Sequence, residues 1–227
     1  MKIRLGELRR IIREAAEAAQ LNTDELAAML TENDGGAKVV VYHPVPIENM
    51  MRKLPGDVVD RSPELMAKLK EYMVGWVQVV KPKDPCWDAM MIASIAGPGK
   101  LMYGIAYALS PSGLLISDRD SMTDVAVSAW RNMSTKGNRD KKKLDNVSEP
   151  ATPEPNDDCV LRPEEFLNYA YGAEGWEMGV LETMHDNHEV MIARATKGGI
   201  LTREEVEKVL TEAGLSYWRT RYRAAWR

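Results

Sequence analysis

The chain has 227 residues, of which 44% are hydrophobic and 28% are charged, and its formal net charge at pH 7 is -4. A chain of this size can close one ordinary core and still carry helical extensions, so one main domain is expected. The mild charge gives no global attraction to nucleic acid or anionic lipid, and no apolar run approaches the roughly 20 residues that span a bilayer.

The N-terminal part of the chain shows helical patterning. Apolar side chains recur at close to helical spacing through residues 3–30, which predicts an amphipathic helix. Asn22 or Thr23 can cap a second short helix, TDELAAML, and the run NDGG at 33–36 would end it. The first helix is basic and can pack on its own domain or in the groove of a partner protein. We expect it to pack on its own domain.

The next segment predicts one strand and one helix. Residues 38–45 are β-branched and run into prolines, which indicates a strand that stops at Pro44 because proline removes a ladder donor. A surface loop is expected to continue to Asp60. The run Ser62-Pro63-Glu64 then starts a helix that reaches Tyr72, with a capping hydroxyl and a proline in the first turn.

Residues 74–133 alternate between strand and helix patterns. Residues 74–80 and 87–96 predict two paired strands, and the apolar content of the second indicates burial on both faces. After a Gly-Pro-Gly turn at 97–99, helical spacing continues to Leu109. A short strand at 114–116 follows, and Ser121 or Thr123 caps a helix with the sequence MTDVAVSAWRNM.

The C-terminal half begins with a polar stretch, residues 134–158, whose composition predicts a long loop. The remainder is expected to be rich in helix, with a helix over 163–171, a helix or strand around Met191, and a helix that ends at Gly214. Together the elements predict an α+β (α/β) fold in which helices flank a mixed central sheet. The expected division is a helical segment at 1–36, a core at 37–133, a polar loop at 134–160 and a helical region at 161–227.

The two cysteines, Cys86 and Cys159, are too few for a disulfide framework and form no C-x-x-C pair. We expect ordinary buried or loop thiols in a reducing, cytoplasmic setting. The run HDNHE at 185–189 combines histidines and carboxylates, but its spacing differs from the H-E-x-x-H zinc motif. It is interpreted as a polar turn, and no metal site is predicted.

The C-terminal residues 217–227 alternate aromatic and arginine side chains without an acid. Such side chains suit phosphate contact and base stacking, but they also suit docking on a protein surface or covering the edge of the chain's own core. We expect docking on the domain itself or on a protein partner, and nucleic-acid binding is not expected from an acidic chain.

The strand, Gly-Pro-Gly turn and helix at residues 87–109 form an arrangement that creates small anion sites, because a helix start leaves about four amides unpaired. The segment WDAMMIASIAGPGKLMYGIAYALSPSGLLISDRDSMTDVAVSAWRNM resembles the central motif of GNAT-type N-acyltransferases in its order of elements. The runs KDPCWDA, LMYGIA and KKKLDN are similar to those of GNAT-like bacteriophage proteins.

This resemblance implies a GNAT-like fold, with acetyl-CoA or another acyl-CoA as cosubstrate and an unknown amine as acceptor. Its pyrophosphate would be bound by the amides of Gly97, Gly99, Lys100 and Leu101, with the Lys100 ammonium adding charge. The likeness to phage proteins implies a protein that is located in the host cytoplasm or associated with the virion. Pro98 removes one donor from the turn, which favours an alternative. In that alternative the chain is a catalytically inactive GNAT-like module of a phage or bacterial assembly, docking through its terminal segments.

Transfer of an acyl group to an amine needs a proton acceptor and a stabiliser of the oxyanion. The catalytic candidates are Asp88, Ser94 and Tyr103, although GNAT members usually carry their acidic tyrosine on the following helix, where this chain has Trp130. Asp118 and Arg119 follow a strand, where functional loops gather, and are candidates for substrate contact. An internal contact that holds the loop is the other interpretation of Arg119.

Overall fold

The computed structural model describes residues 21–53, 63–120, 122–135, 140–173 and 180–225. The amphipathic helix that is predicted for the N-terminal part falls mainly on residues 1–20, which lie outside the described residues. Within the described ranges the chain folds into one mixed sheet with helices on both faces.

The described part of the chain contains helices that cover the sheet. They are α1 (Pro44–Met51), α2 (Pro63–Glu71), α3 (Gly99–Ala108), α4 (Asp124–Thr135), α5 (Val180–Ala195) and α6 (Arg203–Ala225). Short 3₁₀ turns precede three of the strands, and they lie at Thr23–Glu25, Cys86–Asp88 and Glu165–Leu167.

The strands form a seven-stranded sheet and a separate two-stranded pair. Their bounds are β1 (Ala27–Asn33), β2 (Gly36–Tyr42), β3 (Met73–Val80), β4 (Met90–Ala96), β5 (Leu114–Ile116), β6 (Lys141–Lys143), β7 (Asp145–Asn146), β8 (Asp158–Cys159) and β9 (Tyr169–Gly172). The order in the large sheet is β1-β2-β3-β4-β5-β9-β6, and β7 pairs with β8. All neighbours in the large sheet are antiparallel except β4 and β5, which are parallel.

Two hydrophobic cores lie on opposite faces of the sheet. Val39 and Val41 of β2 belong to the core under α3 and α4, whereas Val40 and Tyr42 belong to the core under α1, α2 and α6. Successive side chains of a strand point to opposite faces, so a strand covered by helices on both sides is apolar at nearly every position. This explains the continuous β-branched run of β2. The mixed sheet flanked by helices confirms the predicted α+β class.

Several predicted elements are confirmed. The helix that begins at Pro63, the pairing of β3 with β4, and the series glycine turn, α3, β5 and α4 all lie where the patterns put them. Capping residues, prolines and glycine turns mark in the sequence where these elements begin and end. β4, however, is half-buried at most positions rather than buried on both faces.

Two predictions near the N-terminus are wrong. The segment TDELAAML is not a helix, because its apolar residues from Ala27 onward form β1 and pair with β2 through a tight turn. The Asn33 carboxamide accepts a hydrogen bond from the Gly35 amide at 3.0 Å and shapes that turn. The loop predicted after Pro44 instead begins with α1, since a proline that ends a strand also suits the first turn of a helix.

The C-terminal half also departs from its patterns. The predicted helix over 163–171 is a 3₁₀ turn followed by β9, and the predicted polar loop contains β6, β7 and β8. The sheet therefore draws strands from outside the predicted core of 37–133. Helix α6 does not end at Gly214 but continues to Ala225. The glycine lies against β2 and β3, where a Cβ would be 2.8 Å from a methyl carbon of Val40.

The two cysteines are paired, which corrects the expectation of ordinary thiols. Cys86 and Cys159 form a disulfide that links the start of β4 to β8 across 73 positions of sequence. Residues 86–88 have positive φ values of 45°, 61° and 54°, so β4 begins at Met90 rather than at Trp87.

Among the described residues, none of the helices combines the length and the apolar character that crossing a membrane requires.

Candidate functional site

The glycine turn joins the carboxyl end of β4 to the start of α3. Gly97 has a φ of +124°, and a Cβ at this position would lie 2.7 Å from the Val74 carbonyl oxygen. Both the backbone conformation and the close approach of β3 therefore require glycine here. The glycines predict a binding site at this turn, and the backbone conformation explains why the first of them must be glycine.

The start of α3 is open. Its first intrahelical hydrogen bond runs from the Met102 amide to the Pro98 carbonyl at 2.9 Å, so the amides of Gly99 and Leu101 precede the helical ladder. No side chain caps this end. Gly99 is exposed, and a Cβ there would meet nothing within 4 Å. The end of the helix is thus not filled by neighbouring side chains, and the exposed Lys100 lies beside it.

β4 extends past the end of β5 at this end of the sheet. β4 and β5 are in register only at Met90 with Leu115 and at Met91 with Ile116. β4 then continues to Ala96, whereas β5 ends at Ile116. The carboxyl half of β4 consequently lacks β5 as a neighbour on that edge, and residues 93–96 are half-buried. This half of β4 and the glycine turn lie at the same end of the sheet.

The candidate Asp88 lies at the other end of β4. Its side chain is exposed, and its carbonyl accepts a hydrogen bond from the Ser112 hydroxyl at 2.9 Å. A strand rises about 3.3 Å per residue, so about 20 Å separates Asp88 from the far end of β4. The structure therefore does not bring Asp88 together with the glycine turn.

Ser94 lies in the carboxyl half of β4. Its Oγ accepts a hydrogen bond from the Trp76 indole at 2.7 Å and donates to Gln78 Oε1 at 3.5 Å. The Lys38 ammonium lies 5.7 Å from the centroid of the Trp76 ring. Ser94 is therefore held in one orientation by neighbours on β3, among polar groups on one face of the sheet.

Tyr103 follows Gly99 by one turn of α3 and is buried. Its ring packs edge-on against Trp130 with the centroids 6.1 Å apart. Burial raises the pKa of the Tyr103 phenol far above its usual value, and Tyr107 adds to the shift. The phenol therefore stays protonated at physiological pH and is a weaker acid than an exposed tyrosine.

Arg119 holds the loop after β5. Its guanidinium donates to the carbonyls of Ser117, Val160 and Leu167, and to the Ser117 hydroxyl at 2.8 Å. Burial lowers its pKa to about 10, and the neighbouring Arg162 contributes. These bonds support the loop-holding interpretation. The Asp118 carboxylate accepts from the Asp120 amide at 2.8 Å.

The run HDNHE at 185–189 is part of α5 and not a polar turn. His188 is 1% exposed, and its Nδ1 lies 2.6 Å from the Tyr42 hydroxyl. Burial keeps the pKa of Tyr42 above its usual range, and the tautomer of His188 sets which of the two groups donates in this bond. The sequence gives one local signal for this burial, since Met184 and Met191, at helical spacing from His188, mark the apolar face.

Three carboxylates, those of Asp145, Asp157 and Asp158, have ligand atoms within 4.8 Å of one another. Backbone amides already bind the Asp145 carboxylate, among them that of Thr152 at 2.8 Å, and they lower its pKa. The Thr152 hydroxyl bonds Asp157. The arrangement could hold a cation, but it is explained equally by the loop that these bonds close.

The described residues of the aromatic and basic C-terminal stretch, 217–225, form the last turns of α6. The Tyr217 hydroxyl donates to the Val74 carbonyl at 3.0 Å, and Trp218 packs against the core under this helix. Tyr217 and Trp218 thus cover the chain's own sheet, and Tyr217 contacts β3, the strand that also contacts Gly97.

Comparison with known proteins gave no family model, no curated protein and no solved structure that matches this chain.

Proposed function

We propose that the chain is an acyl-CoA-dependent N-acyltransferase of the GNAT type, acting on an amine whose identity is unknown. The observation that carries this proposal is the coincidence of two features at one end of the sheet. A helix start without a side-chain cap follows a glycine turn, and the parallel strand β4 extends past the end of β5 beside it. In open α/β sheets, ligands bind at the carboxyl ends of parallel strands.

The residues of the turn fit the diphosphate of such a cosubstrate. The amides of Gly97, Gly99, Lys100 and Leu101 would be its donors, and the Lys100 ammonium would add charge. The absence of any atom within 4 Å of a Cβ on Gly99 leaves room for a phosphate to approach the backbone. Pro98 supplies no amide donor, and its carbonyl accepts a hydrogen bond from the Met102 amide.

The cosubstrate would supply an acyl group as a thioester, and the chain would orient it against the amine. Ser94 lies on the half of β4 that extends past β5, and its hydrogen bond to Trp76 places it on the face of the sheet that α6 covers. Tyr103 lies in the core on the opposite face, and burial makes its phenol too weak an acid to protonate a departing thiolate. Asp88 remains a candidate only by sequence, since most of the length of β4 separates it from the turn.

A binding measurement tests the proposal. Thermal denaturation and calorimetry with about 1 mM acetyl-CoA should show stabilisation, which reaches about 2.7 kcal/mol when the ligand is at 100 times its Kd. A Gly99→Glu variant should lose this effect because its carboxylate opposes the phosphates. The substitution meets open space, so the fold should tolerate it.

Gly198→Glu provides the matched control. A Cβ at Gly198 meets only Ile200, at 3.8 Å, and the added charge is the same. Gly198 lies in the turn before α6. Along the helix axis, Arg203 at the start of α6 is about 21 Å from Tyr217, which contacts the strand next to Gly97, so the control charge lies far from the glycine turn. Equal loss in both variants would assign the effect to net charge. No stabilisation of the wild type at millimolar acetyl-CoA would remove the transferase proposal.

The alternative of an inactive GNAT-like module has its own support. Pro98 lacks one donor of the turn, Asp88 lies far from it, and Tyr103 is buried against Trp130. Turnover separates the two functions, because only the enzyme would release coenzyme A thiol from acetyl-CoA when a panel of amines is added. Binding without release for every amine would favour the module.

A further inference from the structure

A groove lies at the edge of the sheet that β1 forms, between the 3₁₀ turn at Thr23–Glu25, α1 and α5. Its volume is about 480 Å³. We call it the α1–α5 groove and define it by the residues that the argument uses, which are Asp24, Glu25, Val45, Glu48, Val190 and Arg194.

The charge of the groove is predominantly negative. Asp24 and Glu25 form one side and are exposed. Glu48 is only 7% exposed and bonds Arg52 at 2.8 Å, while its other oxygen lies 3.7 Å from Arg194. Two guanidinium groups therefore offset Glu48, and the further carboxylates of Asp24 and Glu25 leave a net negative charge on this set of side chains. A cationic occupant is favoured over an anionic one.

The groove also exposes apolar surface. Val45 is 63% exposed and Val190 is 48% exposed, and both line it above the buried Met191. Single exposed valines are ordinary on protein surfaces, but two in one groove with acidic sides form an amphipathic binding surface. An occupant that combines basic and apolar side chains would match both properties.

We infer that the occupant is the chain's own segment 1–20, docked in the α1–α5 groove. The described chain starts at Leu21, and Asp24 and Glu25 of the groove follow within four residues. Four extended residues span at most about 14 Å, so the segment is tethered close to the groove. A short tether gives an effective concentration in the millimolar range, which makes docking in the same molecule efficient.

The sequence of the segment matches the groove. Residues 1–20 contain five basic and three acidic side chains, and all five basic ones lie within the first 13 residues. Apolar residues recur at helical spacing among them, as in Leu8, Ile11 and Ile12, which suits a helix laid in an amphipathic groove. The basic side chains would face Asp24 and Glu25, and the apolar side chains would cover Val45 and Val190.

Photocrosslinking in the full chain tests this inference. p-Benzoylphenylalanine is introduced at position 12, the protein is irradiated, and the linked peptides are identified by mass spectrometry. Links within one molecule to peptides that contain Val45 or Val190 are expected. A double variant, Val45→Lys with Val190→Lys, should lower their yield at least about threefold, since it removes apolar contact and adds repulsion.

Val160→Lys with Ile200→Lys is the matched control, because these residues are 45% and 51% exposed and lie outside the groove lining. Its yield should equal that of the wild type, and circular dichroism should show that both double variants are folded. Links to other parts of the chain, or equal yields in both variants, would overturn the inference. Links between two molecules, seen as a covalent dimer, would also overturn it and assign the groove to a second copy.

Discussion

The contact of α6 with the sheet depends on the absence of a side chain at Gly214. A Cβ there would lie 2.8 and 2.9 Å from the two methyl carbons of Val40 and 3.1 Å from Cε3 of Trp76. Val40 is 0% exposed and Trp76 is 2% exposed, so neither can move without disturbing the core. The Gly214→Ala substitution therefore tests how closely the helix is seated.

Two effects of opposite sign determine the outcome. Alanine in a helix interior is more favourable than glycine by up to about 1 kcal/mol, whereas overpacking a buried contact costs about 1–3 kcal/mol. The distances to Val40 lie below ordinary contact, so the second effect should dominate. We expect Gly214→Ala to lower the free energy of unfolding by about 0.5–2 kcal/mol.

Urea denaturation measures this change, with an unchanged slope showing that the unfolded state is the same. The matched measurement repeats the substitution in a Val40→Ala background, where the two methyl groups are gone. There Gly214→Ala should be neutral or stabilising, and the difference between the backgrounds is the energy of the clash. If Gly214→Ala stabilises the wild type, or changes both backgrounds equally, the close seating of α6 is refuted.

Two further predictions concern stability. Burial lowers the pKa of His188 in the folded chain. The unfolded chain therefore binds a proton more readily than the folded chain does. The free energy of unfolding should fall as the pH drops through the ordinary histidine pKa of about 6.5. Urea midpoints at pH 7.5 and 5.5 should show a smaller decrease for His188→Gln than for the wild type, and an equal decrease would contradict the assignment. The disulfide closes a loop across 73 positions, for which the chain-entropy model gives about 4 kcal/mol. Cys159→Ser should lower the urea midpoint under oxidising conditions, and an unchanged midpoint, with two free thiols found in the wild type, would contradict the bond.

Local signals predicted the middle of the fold. Proline at the start of α2, the Gly-Pro-Gly turn and the capping residues before α4 each act within a few residues, so they can be identified without tertiary contacts. The glycine turn of the candidate site was identified in this way. The space beside Gly99, and the extension of β4 past β5, depend on neighbours that are distant in sequence.

The wrong predictions share a physical cause. Residues 27–30 are apolar without interruption, and such a run suits a helix or a strand until a partner strand is known. Pairing with β2 makes this run a strand, β1, rather than a helix. Residues 169–172 became a strand because β5 and β6 lie on either side of them. Intrinsic preferences are small, so tertiary contacts of this kind override them.

The sequence by itself determined the α+β class, the central series of strand, glycine turn, helix, strand and helix, and the basic character of the first segment, because these follow from periodicity and from residues that act locally. Only the tertiary structure decided the pairing of Cys86 with Cys159, the burial of His188 against Tyr42, and the reason for glycine at 97 and 214. Each of these joins residues that are far apart in the chain, and their distances exist only after the strands and helices have packed.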